Sequence, residues 1–216
     1  MSEDDAVLYD YWRSSASYRV RIALNLLGLP YTRTPVDLLA GEQGGDNHRA
    51  LNPQGLVPTL VLEGTALTQS LAIIEYLHER TAGSTLLPDD AAGRFRVRQL
   101  SYVVAMEIHP MCNLSVVRRV SDIAGSAEPT TTAWMQHFIG KGLQALEDLL
   151  ALTDGPFCHG AVPTMADCCL IPQLYNAKRW GVETGRLARI TEAEAAASAL
   201  EAFQAAQPVA VGPLPD

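Results

Sequence analysis

The first strand-to-helix junction of the chain reads Tyr11-Trp12-Arg13-Ser14-Ser15-Ala16-Ser17-Tyr18-Arg19-Val20-Arg21-Ile22-Ala23-Leu24. Residues 7–11 form a short β-prone run, which the polar residues 13–15 interrupt. Apolar side chains then recur at the spacing of an amphipathic helix, at Val20, Ala23, Leu24 and Leu27. Gly28 and Pro30 follow, a pair typical of a helix end. The junction therefore predicts a β-strand that leads directly into a helix beginning near Ser14 and Ser15.

The next residues extend this junction into a β-α-β unit followed by a β-β-α unit. Residues 31–38 are predicted to form a second strand, and residues 41–47, rich in glycine and polar residues, a loop. Turn-forming residues at 52–55 and 63–64 precede two further strands, at 59–62 and 65–67. A helix is predicted over residues 70–79, because its apolar side chains share one face. Together these elements predict an α/β domain over residues 1–82.

The remainder of the chain has helical periodicity. Residues 83–90 contain Gly83, Pro88 and two acidic residues, which is typical of a linker. Four helical segments follow, predicted at 91–122, 130–152, 165–178 and 191–206. Three prolines in residues 207–216 predict a loosely held tail. The fold class predicted is therefore α/β plus all-α, with the helical domain over residues 91–216.

Composition excludes several classes of function. Of the 216 residues, 48% are hydrophobic and 19% charged, a balance that argues against a disordered or fibrous chain. The formal net charge of −8 makes nucleic acid and anionic membrane surfaces poor partners. No run approaches the roughly 18 apolar residues of a membrane span, and the acidic N-terminus does not resemble a secretory signal. We therefore predict a cytoplasmic protein.

The cysteine pattern argues against metal and dithiol sites. None of the four cysteines belongs to a Cys-x-x-Cys pair, so neither a zinc knuckle nor thioredoxin-type chemistry is predicted, and no metal site is expected. Cys168 and Cys169 lie in an apolar helical run, where a small buried side chain is the simpler interpretation.

Several polar positions have two interpretations when the residues are considered alone. Ser14 or Ser15 can cap a helix, or can hold a thiolate at its N-terminus, where the dipole favours an anion. Ser70, which follows Gln69 before an apolar helix, presents the same choice between a cap and an anion site. Pro58 can be an ordinary proline at the start of a strand, or can follow a cis peptide bond. Local sequence leaves each of these alternatives open.

Five segments together resemble the zeta class of the glutathione S-transferases, which includes maleylacetoacetate and maleylpyruvate isomerases. The matching segments are the junction at 11–24, Asn52-Pro53-Gln54-Gly55-Leu56-Val57-Pro58-Thr59-Leu60, residues 69–77, Ile108-His109-Pro110 with Asn113-Leu114, and residues 164–177. They occur in order and at family spacing between about residues 7 and 203. The resemblance implies a thioredoxin-like glutathione-binding domain followed by a helical-bundle domain.

The resemblance also implies roles for particular residues, with glutathione as cofactor. Ser14, Ser15 and Arg13 would be catalytic. The expected glutathione contacts are Ser14, Gln43, Val57, Pro58 after a cis bond, Gln69, Ser70, His109 and Asn113. Because His109 and Asn113 are four residues apart, they are expected on one face of a long helix. Arg13 and Arg179 would hold a dicarboxylate substrate.

The activity implied is cis–trans isomerisation of a maleyl keto acid, first of all maleylacetoacetate, in aromatic amino-acid breakdown. Transient addition of the glutathione thiolate would allow the double bond to rotate. A homodimer is also implied. The alternatives are a maleylpyruvate isomerase, a general transferase or dehalogenase of small α-halo acids, and a non-enzymatic binding module. Two departures from the family pattern, Ala16 in place of cysteine and Ser115 in place of the arginine of many bacterial relatives, bear on activity and substrate choice.

Overall fold

A computed structural model describes residues 6–125 and 130–212 of the chain. These residues form two compact units, with the second spanning Leu87–Ala197. The first unit comprises the described residues up to Leu86 together with those from Ser198 onward. This differs from the predicted boundaries, which placed all of residues 91–216 in the helical domain. Residues 198–212 instead pack on the N-terminal unit, for the reasons given below.

The first unit contains a four-stranded sheet in the order β2-β1-β3-β4. Its strands are β1 (Ala6–Asp10), β2 (Thr32–Pro35), β3 (Thr59–Leu62) and β4 (Thr65–Thr68). β1 pairs parallel to β2 and antiparallel to β3, which pairs antiparallel to β4. The helices are α1 (Ser15–Leu26), α2 (Asp46–Leu51) and α3 (Ser70–Arg80). The predicted β-α-β and β-β-α order is confirmed.

One predicted loop is wrong in part. Residues 41–47 were expected to be irregular, but Glu42–Gly44 form a 3₁₀ turn and α2 begins at Asp46. The glycines favoured a loop over a helix, but they lie only at the edges of these two short elements.

The core of the first unit lies between one face of the sheet and two helices. Alternate residues of β1 and β3 point to this face, as the period of two of a strand requires. They pack against apolar side chains from α1 and α3, and the cluster comprises Ala6, Leu8, Val20, Leu24, Leu60, Leu62, Ile73 and Leu77. Burial of these side chains fixes the strands in register, because a slip of one residue would turn them to the other face.

A buried ionic cluster joins the C-terminal residues to this unit. Asp10, at the end of β1, accepts hydrogen bonds from Arg21 at 2.7 and 2.8 Å and from Arg33 at 2.7 Å. Arg21 also donates to the carbonyl oxygens of Trp12 and Ala206, both at 3.0 Å. The side chains of Asp10 and Arg21 are completely buried. The cluster therefore ties together β1, α1, β2 and the end of the described chain.

The last described residues form two short helices, α9 (Glu201–Ala205) and α10 (Pro208–Val211). Phe203 and Pro208 are buried, and the Val211 carbonyl oxygen accepts a hydrogen bond from Arg33 at 2.9 Å. The predicted loosely held tail is therefore wrong as far as residue 212. Residues 213–216 lie outside the described part of the chain.

The second unit consists of helices. They are α4 (Ala91–Tyr102), α5 (Leu114–Ala124), α6 (Thr130–Leu150), α7 (Met165–Arg179) and α8 (Ala188–Ser198), whose last residue is grouped with the first unit. In the described ranges 6–125 and 130–212, no single helix has the length and hydropathy of a membrane span. The segments Ala91–Cys112 and Leu114–Ala124 have that length and hydropathy only when they are taken together, and they are bent by 41° relative to each other.

The predicted long helix over residues 91–122 is interrupted. α4 passes into a π-helical turn at Val103–Ile108 and a 3₁₀ turn at Pro110–Cys112, and α5 starts afresh after Asn113. Pro110 lacks an N–H group for the helical ladder, and Asn113 has an extended backbone with its side chain capping α5. The segment predicted at 191–206 is likewise two helices, α8 and α9, separated at Leu200.

α7 is the buried helix of the second unit, and it begins with a capping box. The Asp167 carboxylate accepts hydrogen bonds from the Thr164 N–H and hydroxyl, at 2.8 and 3.1 Å, and from the Cys158 N–H at 2.8 Å. Burial raises the pKa of Asp167, and these hydrogen bonds oppose that rise. The carboxylate thus satisfies three buried donors at once.

Asp167→Ala is expected to lower the free energy of unfolding by about 3 kcal/mol, because it leaves these donors without an acceptor. The loss is measurable by urea denaturation. Asp148→Ala is a suitable control, because among the described residues Asp148 accepts a single, exposed hydrogen bond, from Gln144. Equal losses for the two variants would contradict the structural role given to Asp167.

Candidate active site

The strand register brings three predicted site segments to one end of the sheet. Tyr9 of β1 lies opposite Thr59 of β3, and Thr59 lies opposite Thr68 of β4. Because β1 and β4 end where β3 begins, the residues after β1, before β3 and after β4 emerge at the same edge. These segments carry Arg13 to Ser15, Val57 with Pro58, and Gln69 with Ser70.

Ser14 caps α1. Its backbone is extended, with φ −66° and ψ 119°, and its Oγ accepts a hydrogen bond from the Ser17 N–H at 3.2 Å. A serine hydroxyl has one donor in addition to its acceptor sites, so the Ser14 proton can still be donated. The first turn of α1, which starts at Ser15, contains no acidic residue that would neutralise its positive end. The cap and the anion-binding interpretations are therefore compatible.

Arg13 lies against two aromatic side chains. Its guanidinium is 4.7 Å from the Trp12 ring centroid and 5.9 Å from that of Tyr11. One of its five N–H groups donates to the Tyr11 hydroxyl at 3.0 Å. These contacts restrict the guanidinium to the segment between β1 and Ser14 while leaving other N–H groups for a carboxylate.

The N-terminus of α3 forms a second position suited to an anion. The Ser70 hydroxyl accepts a hydrogen bond from Arg19 at 3.2 Å, and both residues are buried. Gln69 has φ 68°, a rare backbone conformation for a residue with a side chain, which is typical of functional sites. Its side chain donates to Gln54 at 2.8 Å instead of capping the helix. Arg19 was not predicted, since a charged residue in a helix usually faces solvent.

The turn before β3 is held by buried polar side chains. The Val57–Pro58 bond is cis, as the family resemblance implied. The Leu56 carbonyl oxygen is bonded by His48 at 2.8 Å and Asn52 at 2.9 Å. Neither His48 nor Asn52 was predicted as a site residue. For Asn52 the sequence offered one signal, its place as a polar residue in the turn-forming motif Asn52-Pro53-Gln54-Gly55.

Gln43 lies beside this turn. Its Oε1 is buried and accepts no hydrogen bond from the described residues. A side chain at Gly55, which has φ 64°, would place its Cβ 3.0 Å from the Gln43 carbonyl oxygen. The 3₁₀ turn that carries Gln43 therefore depends on the close approach that glycine permits. Gln43, expected from the sequence to lie in a loop, is thus found at the same end of the unit.

His109, Asn113 and Arg179 belong to the second unit. The expectation that His109 and Asn113 share one helical face is wrong, because the helix is broken between them. His109 ends the π-helical turn, and Asn113 uses its Oδ1 to accept two hydrogen bonds at 3.1 Å from the Ser115 N–H and hydroxyl. Arg179 is exposed in the last turn of α7.

The cysteines of the chain are poorly suited to form a reactive thiolate. Cys158, Cys168 and Cys169 are buried, which confirms the structural interpretation of the last two. Burial raises the pKa of Cys158 well above its ordinary value and that of Cys112 to about 11. In the described ranges, no three His, Cys, Asp or Glu side chains are grouped so as to hold a metal ion.

Comparison with known proteins identifies the family. Residues 13–80 match the family described as Glutathione S-transferase, N-terminal domain. The chain is 55% identical to a maleylacetoacetate isomerase of Rhizobium meliloti over 95% of this chain and 97% of that one. It resembles the holo structure of a zeta-class maleyl pyruvate isomerase with a TM-score of 0.93 and 42% identity, covering 97% and 100% of the two chains.

A structure of Anaeromyxobacter dehalogenans maleylacetoacetate isomerase with bound glutathione has a TM-score of 0.87 and 42% identity, covering 97% of this chain and 98% of that one. The similarity to each of these three proteins extends over almost the whole chain, so both the α/β and the helical parts are included. The chain belongs to the zeta class of the glutathione S-transferase family, alongside the maleylacetoacetate isomerases.

Proposed function

We propose that the protein is a glutathione-dependent cis–trans isomerase of maleyl keto acids, with maleylacetoacetate as its substrate. The observation that carries this proposal is the arrangement at one end of the sheet. There the register of β1, β3 and β4 gathers the Ser14 cap, the Val57 turn and the N-terminus of α3. The relatives reported above are named for substrates of this class.

The residues present fit glutathione. Its γ-glutamyl carboxylate suits the N-terminus of α3, where Arg19 adds a buried positive charge beside Ser70. The Gln43 Oε1, which accepts no hydrogen bond from the described residues, is available for a donor of the tripeptide. The backbone of Val57 can pair with the cysteinyl residue as a short strand. These groups would hold the tripeptide's sulfur near the start of α1.

When bound, glutathione supplies a thiolate whose transient addition turns the conjugated double bond into a single bond that can rotate. The Ser14 hydroxyl and the N-terminus of α1 stabilise the negative charge on that sulfur. Arg13 binds a substrate carboxylate through its remaining N–H groups and stabilises negative charge that develops beside it. Arg179 is proposed as a second carboxylate ligand, and His109 and Asn113 as further contacts of the helical unit.

The experiment that tests this function is a glutathione-dependence assay with maleylacetoacetate. We expect formation of the trans product to require glutathione and to leave its concentration unchanged, because the tripeptide is regenerated in each turnover. Accumulation of a stable glutathione adduct would instead favour the transferase or dehalogenase alternative. If calorimetry shows no binding of glutathione at millimolar concentration, the proposed enzymatic function is contradicted and a non-enzymatic binding module is favoured.

The second candidate is a maleylpyruvate isomerase, which the similarity in structure to such an enzyme favours. Both substrates are maleyl keto acids and present the same carboxylate groups to Arg13. Side-by-side values of kcat/KM for the two compounds decide between them. We expect the larger value for maleylacetoacetate, because the relative at 55% identity is named for that substrate.

The proposed assembly is a homodimer in the cytoplasm. Three large apolar side chains near α4 are exposed, Phe95 by 66%, Tyr102 by 39% and Met106 by 60%, and a second copy could cover them. Four cysteines outside any disulfide agree with a reducing compartment, where glutathione is abundant. Sedimentation equilibrium should give twice the mass of one chain.

Gly55→Ala is expected to weaken glutathione binding and to lower the free energy of unfolding by about 1–2 kcal/mol, because the left-handed backbone at this position is strained for a residue with a Cβ. The added Cβ also displaces the Gln43 turn. Gly64→Ala is the matched control, because Gly64 has φ 78° but nothing within 4 Å of its Cβ position. Calorimetric titration should show weaker binding only for Gly55→Ala. Equal affinities of the two variants would exclude Gln43 as a ligand.

A further inference from the structure

The carbonyl group before Val57 is fixed by two buried donors. The Leu56 oxygen lies 2.8 Å from His48 Nε2 and 2.9 Å from Asn52 Nδ2. Only 5% of His48 and 2% of Asn52 is exposed. A carbonyl oxygen has two lone pairs, so these bonds complete its hydrogen bonding. Because the oxygen can only accept, Nε2 of His48 carries the proton.

Both donors are themselves held in place. The His48 ring meets the edge of the Tyr9 ring, with the centroids 6.2 Å apart. The Asn52 N–H donates to the His48 carbonyl at 2.8 Å, and its Oδ1 accepts from the Gln54 N–H at 3.1 Å. Neither side chain can therefore turn without breaking other contacts, and the Leu56 oxygen is directed into the unit.

The direction of this carbonyl determines the direction of the next amide. In a trans peptide the C=O and N–H groups point in opposite directions, and the Leu56–Val57 bond is trans. The Val57 N–H is therefore directed away from His48 and Asn52. No described residue accepts a hydrogen bond from it.

We infer that His48 and Asn52 are positioning residues for cofactor binding, which aim the Val57 N–H at a peptide carbonyl of the bound tripeptide. The inference rests on the proposed function, because it takes glutathione to be the ligand. Neither side chain touches the tripeptide. They act by fixing the Leu56–Val57 peptide plane before binding, so that no free energy is spent on ordering it.

The direct test is nuclear magnetic resonance of the ¹⁵N-labelled wild-type chain titrated with glutathione. We expect the Val57 amide to exchange rapidly with solvent in the free protein and to become protected on binding. Its proton resonance should move downfield as the new hydrogen bond forms. A Val57 amide that is already protected without glutathione would overturn the inference, and so would one unaffected by saturating glutathione.

Two substitutions of His48 separate positioning from packing. His48→Phe keeps an aromatic ring against Tyr9 but has no donor, whereas His48→Gln can place an amide N–H near the Nε2 position. We expect His48→Phe to bind glutathione about 3- to 10-fold more weakly, the effect of one hydrogen bond, and His48→Gln to restore much of the loss. The downfield shift of the Val57 amide proton on binding should be reduced more in His48→Phe than in His48→Gln.

The outcomes distinguish this inference from the proposed function. If the wild-type chain does not bind glutathione, the function itself fails. If it binds, but His48→Phe retains the wild-type Kd and Val57 shift, the function stands and the positioning role is wrong. Should His48→Phe not fold, the wild-type exchange measurement and Asn52→Ser, compared by the same titration, still decide the question.

Discussion

Replacing both Ser14 and Ser15 by alanine is expected to lower glutathione-dependent turnover about 25-fold at neutral pH, because a thiol pKa that rises from about 6.5 to about 8.5 lowers the thiolate fraction from roughly three quarters to a few per cent. A free thiol with a pKa near 8.5 is only a few per cent thiolate, and a site that lowers the pKa by about two units contributes roughly 2.7 kcal/mol. The Ser14 hydroxyl can donate its proton in a hydrogen bond to the thiolate, because its oxygen already accepts one from the Ser17 N–H. Without the hydroxyl pair, the bound thiol should remain protonated.

Two measurements check this result. The ultraviolet absorbance of the thiolate, followed against pH in the presence of glutathione, gives the pKa of the bound thiol, and steady-state assays give kcat. The pKa should rise in the double variant, and the loss of turnover should diminish as the pH is raised. Single substitutions show which hydroxyl is responsible, and we expect Ser14→Ala to account for most of the effect.

Ser17→Ala is the matched control. Its hydroxyl is buried on the same helix but has no hydrogen-bond partner in the described ranges, while its backbone N–H, which the substitution keeps, serves Ser14. We expect wild-type turnover and thiol pKa from this variant. Undiminished turnover in the Ser14 and Ser15 double variant would disprove the catalytic role of the pair.

Asp10→Asn is expected to lower the free energy of unfolding by about 3–5 kcal/mol, because it leaves positive charge uncompensated in the interior. Burial lowers the pKa of Arg21, and the neighbouring Asp10 carboxylate counteracts that shift. With the carboxylate gone, Arg21 has no anion beside it in the described structure, and Arg33 loses the same partner. Urea denaturation followed by circular dichroism measures the loss.

Glu63→Gln provides the comparison for Asp10→Asn. Glu63 also forms an ion pair at 2.7 Å, with Arg80, but its side chain is 53% exposed and that of Arg80 40%. Water and salt screen this pair, so its removal should leave the midpoint of unfolding nearly unchanged. If both variants lose the same stability, burial is not what makes the Asp10 cluster important.

The sheet and its site were predictable because their signals are local. The Asn52-Pro53-Gln54-Gly55 turn, the Gln69-Ser70 pair and the junction at Ser14 each mark an element boundary by the chemistry of their residues. The β-prone runs and the turn residues beside them placed every strand within a few positions of its place in the structure. The family resemblance added the cis bond before Pro58, which local sequence did not favour.

The missed features depend on contacts between distant residues. Arg21 lies in a helix, where a charged residue normally indicates the solvent side, yet its partners are Asp10 and the carbonyl group of Ala206. His48 is a lone histidine, and only the fold brings Leu56 to it. The interruption after Ile108 was hidden, because apolar residues continue on both sides of Pro110 and Asn113. Helical periodicity alone does not show where one helix stops and the next starts.

The return of residues 198–212 to the N-terminal unit has a consequence for synthesis. A ribosome makes the chain from the N-terminus, and an N-terminal domain commonly folds while the rest is still being translated. Here the guanidinium groups of Arg21 and Arg33 lack their carbonyl partners until Ala206 and Val211 have been synthesised. The nascent glutathione-binding unit must therefore wait for α9 and α10, and chains that stall or terminate before these helices should be substrates for chaperones and proteases.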